Sequence, residues 1–216
     1  MPRHTVARID LEALRRNYQI ACGRAGGAQV MAVVKADGYG HGIGPVVSAL
    51  DSLVPKFAVA CLGEALAIRE SGLEQPVVLL QGVHAGRDLA ECAQHDFEPV
   101  LHSVQQLEWL EDSDQMPAHW LKVNSGMNRL GFHPDELAGV MARLEAMNAG
   151  ERLLGFVTHF ACADDAESTM TAEQTSVFEQ ATAPWPGLMK SVGNSAAHFL
   201  ADQPLYDWQD RPGPWS

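Results

Sequence analysis

The run Ala32-Val33-Val34-Lys35-Ala36-Asp37-Gly38-Tyr39-Gly40-His41-Gly42 ends an apolar segment on one lysine and opens into a glycine-rich turn. Residues Gln29 to Val34 have the β-branched and aliphatic character of a strand buried on both faces, which sets Lys35 against the core at the strand's end. Desolvation disfavours an ammonium ion and lowers a lysine pKa, and a neutral amine is a nucleophile. Such a lysine forms Schiff bases with a carbonyl substrate or with pyridoxal phosphate. On residue type alone, a lysine snorkelling from a strand end is the plainer reading. The next residues shift that balance. Four glycines between Gly38 and Gly44 let backbone approach a bulky anion, and Tyr39 supplies a hydroxyl donor for a phosphate. The turn fits neither the Rossmann nor the Walker pattern.

The elements that position these residues alternate along the chain. Strand-like runs lie near Gln29 to Ala36, Phe57 to Cys61, Pro76 to Gly82, Phe97 to Ser103, Ala118 to Ser125, Leu153 to Ala161, Leu188 to Ser195 and Leu205 to Asp210. Helical patterns fall between them, near Pro45 and over Gly63 to Ser71, Arg87 to His95, Val104 to Glu111, Pro134 to Met147 and Ala172 to Ala183. Ser103 with Gln106 reads as a capping box, and Pro134 suits a first helical position. Alternating strands and helices imply parallel strands joined by right-handed crossovers.

Composition bounds the rest. The chain has 216 residues, 46% hydrophobic and 19% charged, which suits one domain with a sizeable core. Cys22, Cys61, Cys92 and Cys162 are spaced too widely for a zinc site or a redox pair, so they read as buried thiols of a reducing, cytoplasmic compartment. No metal ligand set stands out. A net charge of −12 argues against nucleic acid and against anionic membrane as partners.

The Lys35 run resembles the cofactor-lysine signature of alanine racemases, pyridoxal-phosphate enzymes built on an eight-fold barrel. The similarity extends from Thr5-Val6-Ala7-Arg8-Ile9-Asp10 to Arg211-Pro212-Gly213. It implies an α/β fold, a (β/α)8 TIM-like barrel over residues 11–216, with an N-terminal strand within residues 1–10 that pairs with a C-terminal β-domain in the family. In such barrels catalytic groups gather at the carboxyl ends of strands, and Lys35, Lys122 to Arg129, His159, Asn194, Ser195 and Arg211 all fall at or just past ends of the expected strands.

The resemblance also implies roles. Lys35 holds pyridoxal phosphate as an aldimine and acts as a base on one face of the α-carbon. Arg129, in Lys122-Val123-Asn124-Ser125-Gly126-Met127-Asn128-Arg129, is assigned to the cofactor's phenolic oxygen and the substrate carboxylate, with a backbone contact from Met127. Lys122 matches a lysine that many members carbamylate. Asn124-Ser125 departs from the family's more frequent Asp-Thr. His159 matches a cofactor-contacting histidine, Asn194 and Ser195 a phosphate site, Arg211 the partner of the pyridine nitrogen, and Tyr39 and Gly213 complete the cofactor set. Each has a plainer reading: surface charges for Lys122, Arg129 and Arg211, a hydrogen-bonded core histidine for His159, an N-cap for Asn194.

The implied reaction is interconversion of L-alanine and D-alanine for peptidoglycan synthesis, by a cytoplasmic homodimer. A second base, a tyrosine of the β-domain, serves the opposite face in the family, and Tyr18, Tyr39 and Tyr206 do not match its context. The chain departs from the family at Pro214-Trp215-Ser216. The expectations are an eighth strand short of its final residues and closing helix, an exposed unpaired strand at His4 to Ile9, and impaired dimerisation and racemisation. The alternative is a pyridoxal-phosphate-binding module with little or no racemase activity. A plain structural barrel would require the Lys35, Arg129, Ser195 and Arg211 matches all to be coincidental.

Overall fold

In the computed structural model, which describes residues 6–199 and 206–212, eight parallel strands follow one another around a closed barrel. In chain order the principal elements are α1 (Leu11–Arg24), β1 (Gln29–Val33), α2 (Ile43–Leu50), β2 (Phe57–Val59), α3 (Leu62–Glu70), β3 (Val77–Leu79), α4 (Asp88–Gln94), β4 (Phe97–Leu101), α5 (Val104–Glu111), β5 (His119–Lys122), α6 (Leu137–Ala146), β6 (Leu153–Val157), α7 (Met170–Thr182), β7 (Met189–Ser191) and β8 (Trp208–Pro212). Each expected strand is present; β1 to β7 are shorter than their apolar runs, and β8 starts and ends later than its run from Leu205 to Asp210. Val34, Val123 and Val192, just past β1, β5 and β7, stay buried and still donate N–H to a neighbouring strand. No described helix is long and apolar enough to cross a membrane.

Local chemistry explains the boundaries. Asp10 caps α1 by accepting from Glu12 N–H at 3.0 Å and Ala13 N–H at 2.9 Å, and Leu14, Tyr18 and Ala21 form its buried stripe. Ser103 caps α5 as expected, but the Gln106 carboxamide oxygen accepts from His102 N–H at 2.9 Å, one residue before the capping-box position. Pro134 opens a short 3-10 turn that leads into α6.

The closing seam is thin. β8 pairs with β1 at five residue positions but with β7 only at Ser191 and Trp208. The expectation of a missing closing helix falls past β8, outside the described residues. Residues 6 to 9, expected as part of an exposed strand, have no sheet partner among the described residues and form no ladder, while residues 4 and 5 lie outside the described set. The cysteines depart from expectation: only Cys92 is buried, Cys61 and Cys162 are half-buried, and Cys22 is exposed on α1. Burial and the neighbouring carboxylates of Asp88 and Glu91 push the Cys92 thiol up to about 12, so it stays protonated.

Two apolar clusters form. The larger lies between strands and helices; the smaller fills the barrel with Met31, Val33, Ala58, Val78, Val100, Trp120, Val157 and Trp208. At the amino ends of the strands this filling turns ionic. The buried Lys56 ammonium is 2.6 Å from Glu98 Oε2, Trp120 Nε1 donates to the same carboxylate at 2.8 Å, and the ammonium lies 4.6 Å from the Trp208 ring centroid. Nearby, the fully buried His119 donates through Nδ1 to Pro117 O at 3.0 Å, and desolvation drives its pKa down despite that carbonyl.

Removing one partner of a buried ion pair leaves an uncompensated charge, so Glu98→Ala is expected to cost about 3–5 kcal/mol. The double variant Lys56→Met, Glu98→Gln should recover most of that loss, as read by urea denaturation. For His119, a depressed folded pKa means that the unfolded chain takes up a proton the folded chain resists. The stability is therefore present above the ordinary histidine pKa of about 6.5 and is lost as pH falls from there toward the folded value. His119→Phe is expected to flatten the fall of Tm across that window.

Candidate functional site

Strand geometry alone brings the candidates together. Side chains along a strand alternate between its faces, and Val33, Trp120 and Val157 point into the barrel. Two residues further on are Lys35, Lys122 and His159, which line one cavity of about 560 Å³ with Tyr39, Met127 and Arg129. The described lining holds two lysines and an arginine but no aspartate or glutamate. In a chain of net charge −12, this is a local site for anions.

The Lys35 segment is the most strained part of the wall. Ala36 (φ 54°, ψ 51°), Asp37 (φ 54°, ψ 49°), Gly38 (φ 61°, ψ 39°) and Tyr39 (φ 56°, ψ 36°) make a left-handed helical turn. For residues with a Cβ this conformation costs about 1–2 kcal/mol each. Only Gly38 is free of that cost, and a Cβ there would also press on Val46 Cγ2 at 3.2 Å. The hydrogen bonds that hold the turn include Gly38 N–H to Val34 O (2.9 Å), Gly42 N–H to Asp37 O (2.9 Å), His41 N–H to Gly38 O (3.2 Å), Ile43 N–H to Asp37 Oδ1 (2.7 Å) and Ala36 N–H to Glu64 Oε1 (2.7 Å). The turn leaves Lys35 half-buried at the cavity edge, where the strand pattern had set it against the core.

Lys122 is buried at the end of β5, and Arg129 is exposed on the loop beyond it. Asn124 organises that loop: its Oδ1 accepts from Gly126 N–H (3.3 Å) and Asn128 N–H (2.9 Å), and its Nδ2 donates to Asn128 Oδ1 (3.1 Å). Gly131, at φ 121°, closes it, since a Cβ would come within 2.7 Å of Asn124 N. Ser125 Oγ shares a 2.7 Å hydrogen bond with Thr158 Oγ1, which donates to Val123 O at 2.9 Å.

Gln174 of α7, buried behind this wall, ties the two strand ends together. It donates to Ser125 Oγ (3.3 Å) and His159 O (3.0 Å), and accepts from Ala161 N–H (2.8 Å). His102 also lines the cavity. Burial lowers its pKa, repulsion from Lys122 and His84 adds to this, and a hydrogen bond with Gln81 O opposes it.

Asn194 and Ser195 are not among the described residues that line the cavity, and the Arg211 side chain lies outside the described set. Asn194 Oδ1 accepts from Ala197 N–H at 3.1 Å, capping the 3-10 turn Ala197–Phe199, and Ser195 follows it. Arg211 pairs with Ala32 along β8, and Gly213 lies outside the described residues. Tyr18 donates its hydroxyl to Val30 O at 2.8 Å, and Tyr206 donates to Glu179 at 3.2 Å. Among the described tyrosines, Tyr39 alone lines the cavity. Glu64 and Gln174 escaped the sequence reading. A carboxylate in the first turn of a helix reads as a complement to the helix dipole, and a helical glutamine as surface.

Residues 9–214 match the family described as "Alanine racemase, N-terminal domain". A Marinobacter nauticus protein named alanine racemase is 61% identical over 213 residues, and one from Thioalkalivibrio sulfidiphilus is 43% identical over 217. Each alignment covers 99% of this chain, which spans 59% of the length of those relatives. The crystal structure of a biosynthetic alanine racemase from Pseudomonas aeruginosa superposes with a TM-score of 0.87 at 37% identity, covering 95% of this chain and 57% of that one. For an alanine racemase from Acinetobacter baumannii the TM-score is 0.85 at 35% identity, with the same coverage of 95% and 57%.

Gln174→Leu keeps the bulk behind the wall but leaves Ala161 N–H and His159 O without their partner. Both groups are only partly buried, so the expected cost is about 0.5–1.5 kcal/mol per lost hydrogen bond, with faster amide exchange in residues 124–131 and 159–161. Unchanged exchange there would show that the loop holds its shape without Gln174.

Proposed function

The chain belongs to the alanine racemase N-terminal domain family, and we propose that it binds pyridoxal phosphate through Lys35 as part of a racemase interconverting L-alanine and D-alanine for peptidoglycan synthesis. One observation carries this reading: Lys35 shares a cavity with Lys122 and Arg129, and its described lining holds no carboxylate. A primary amine for an aldehyde and fixed cations for anionic groups fit that cofactor and an amino-acid carboxylate. The cytoplasmic setting and the homodimer implied by the resemblance belong to the same proposal.

When bound, the cofactor withdraws the electron pair left on the substrate α-carbon and so makes its C–H bond acidic. The chain's residues do the rest. Arg129 presents a planar fork to the substrate carboxylate, and the Met127 backbone supports that contact. Lys122, buried beside the Arg129 loop, orients the arginine when carbamylated. His159 and Arg211 would contact the cofactor ring, and an arginine there would disfavour protonation of the ring nitrogen and so favour reprotonation of the α-carbon. Tyr39, Asn194, Ser195 and Gly213 serve the rest of the cofactor, the phosphate above all. Lys35 takes or returns the α-proton on its own face.

The opposite face needs another proton-handling group. Tyr18 and Tyr206 commit their hydroxyls away from the cavity, which favours a second reading: the chain by itself binds the cofactor and turns over alanine slowly or not at all.

Two measurements test these readings. With L-alanine and pyridoxal phosphate, D-alanine formation lost in Lys35→Ala supports the first. Cofactor absorbance that depends on Lys35, without D-alanine, supports the second. No Lys35-dependent absorbance would overturn both. If turnover is found, Arg129→Lys keeps the charge but loses the fork, and its KM for alanine is expected to rise about tenfold or more with cofactor binding retained.

A further inference from the structure

We infer that Glu64 is a positioning residue for Lys35, holding the left-handed turn in the conformation that presents the amine to the cavity. The inference rests on the cofactor-binding reading of that site.

Glu64 is the third residue of α3 after its N-cap Cys61, the position from which a capping-box carboxylate reaches back to free N–H groups at the helix start. One oxygen does a version of this: Oε2 accepts from Ala60 N–H, just past β2, at 2.8 Å. The other leaves its own helix. Oε1 accepts from Ala36 N–H at 2.7 Å, just past β1. Ala36 follows Lys35 directly and is the first residue of the left-handed run. A single half-buried carboxylate thus clamps the ends of two neighbouring strands and fixes the peptide that leaves the lysine.

The strain gives that clamp its consequence. Ala36, Asp37 and Tyr39 would each be more stable in a right-handed or extended conformation. Gly38 N–H to Val34 O spans the start of the turn within the chain's own backbone, whereas the Ala36 N–H contact is the side-chain tie that fixes the peptide leaving Lys35 to α3. Without it a relaxed turn gains population, and apparent cofactor affinity falls in proportion to the loss of the competent one.

The test follows the covalent linkage, in which the Lys35 amine condenses with the cofactor aldehyde and water leaves. The full chain and its variants are titrated with pyridoxal phosphate across a pH series, reading visible absorbance, and the linkage is trapped with borohydride and mapped by mass spectrometry. Glu64→Ala is expected to weaken covalent retention about tenfold to a hundredfold, the range for one charge-assisted hydrogen bond. Glu64→Gln keeps one acceptor and should fall between. Leu144→Ala, in the buried face of α6, supplies a destabilised barrel with an intact turn and should retain the wild-type affinity and pH profile.

A Glu64→Ala chain with wild-type affinity and pH profile would overturn the inference, as would an equal loss in Leu144→Ala. Absence of any Lys35 linkage in the wild-type chain would instead overturn the cofactor reading, and this inference with it.

Discussion

A closed parallel barrel gives its inward-facing side chains very little room. Every second residue of a strand must fill the interior with its neighbours, and polar groups fit only where the filling ends. This chain uses both ends. At the amino ends, Lys56 and Glu98 neutralise one another among Trp120 and Trp208. At the carboxyl ends, the residues that follow Val33, Trp120 and Val157 by two positions are Lys35, Lys122 and His159. The site is the interior stripe of three strands continued past the last apolar layer.

Electrostatics and backbone strain then divide the work. The chain as a whole is acidic, but the described lining of the cavity carries Lys35, Lys122 and Arg129 and no carboxylate. Glu64 marks the boundary of that rule. Its charge is spent on two backbone N–H groups behind the wall. The left-handed turn is tolerated because its donors and acceptors are met by Val34, Asp37 and Glu64. Strain of this sort persists where the surroundings overdetermine it, and here they belong to a neighbouring helix.

Much of the fold was legible because hydrophobic periodicity and burial report the same physics. The strand runs located every strand but, except at the eighth, ran past its end, since Val34, Val123 and Val192 stay buried and still donate their N–H groups to a neighbouring strand. The extent of α5 could be read from Ser103 through Glu111, although Gln106 caps His102 instead of the serine. The glycines after Lys35 announced an unusual turn. Its hand could not be read, because Ala36, Asp37 and Tyr39 all disfavour positive φ, and the contact that offsets the cost lies 28 residues away in sequence. Gln174 was hidden for the same reason: its three partners are at 125, 159 and 161, and no local spacing links them.

Strand register brings Lys35 and Lys122 to the same cavity, and the left-handed turn that follows Lys35 marks it as the proposed reactive amine. The most direct measurement is a crystal structure of the chain grown with pyridoxal phosphate. Electron density continuous from Lys35 Nζ into the ligand is expected, with Ala36 to Tyr39 still left-handed and Arg129 facing the same cavity. Density joined to Lys122, or a ligand bound outside the cavity, would overturn that assignment.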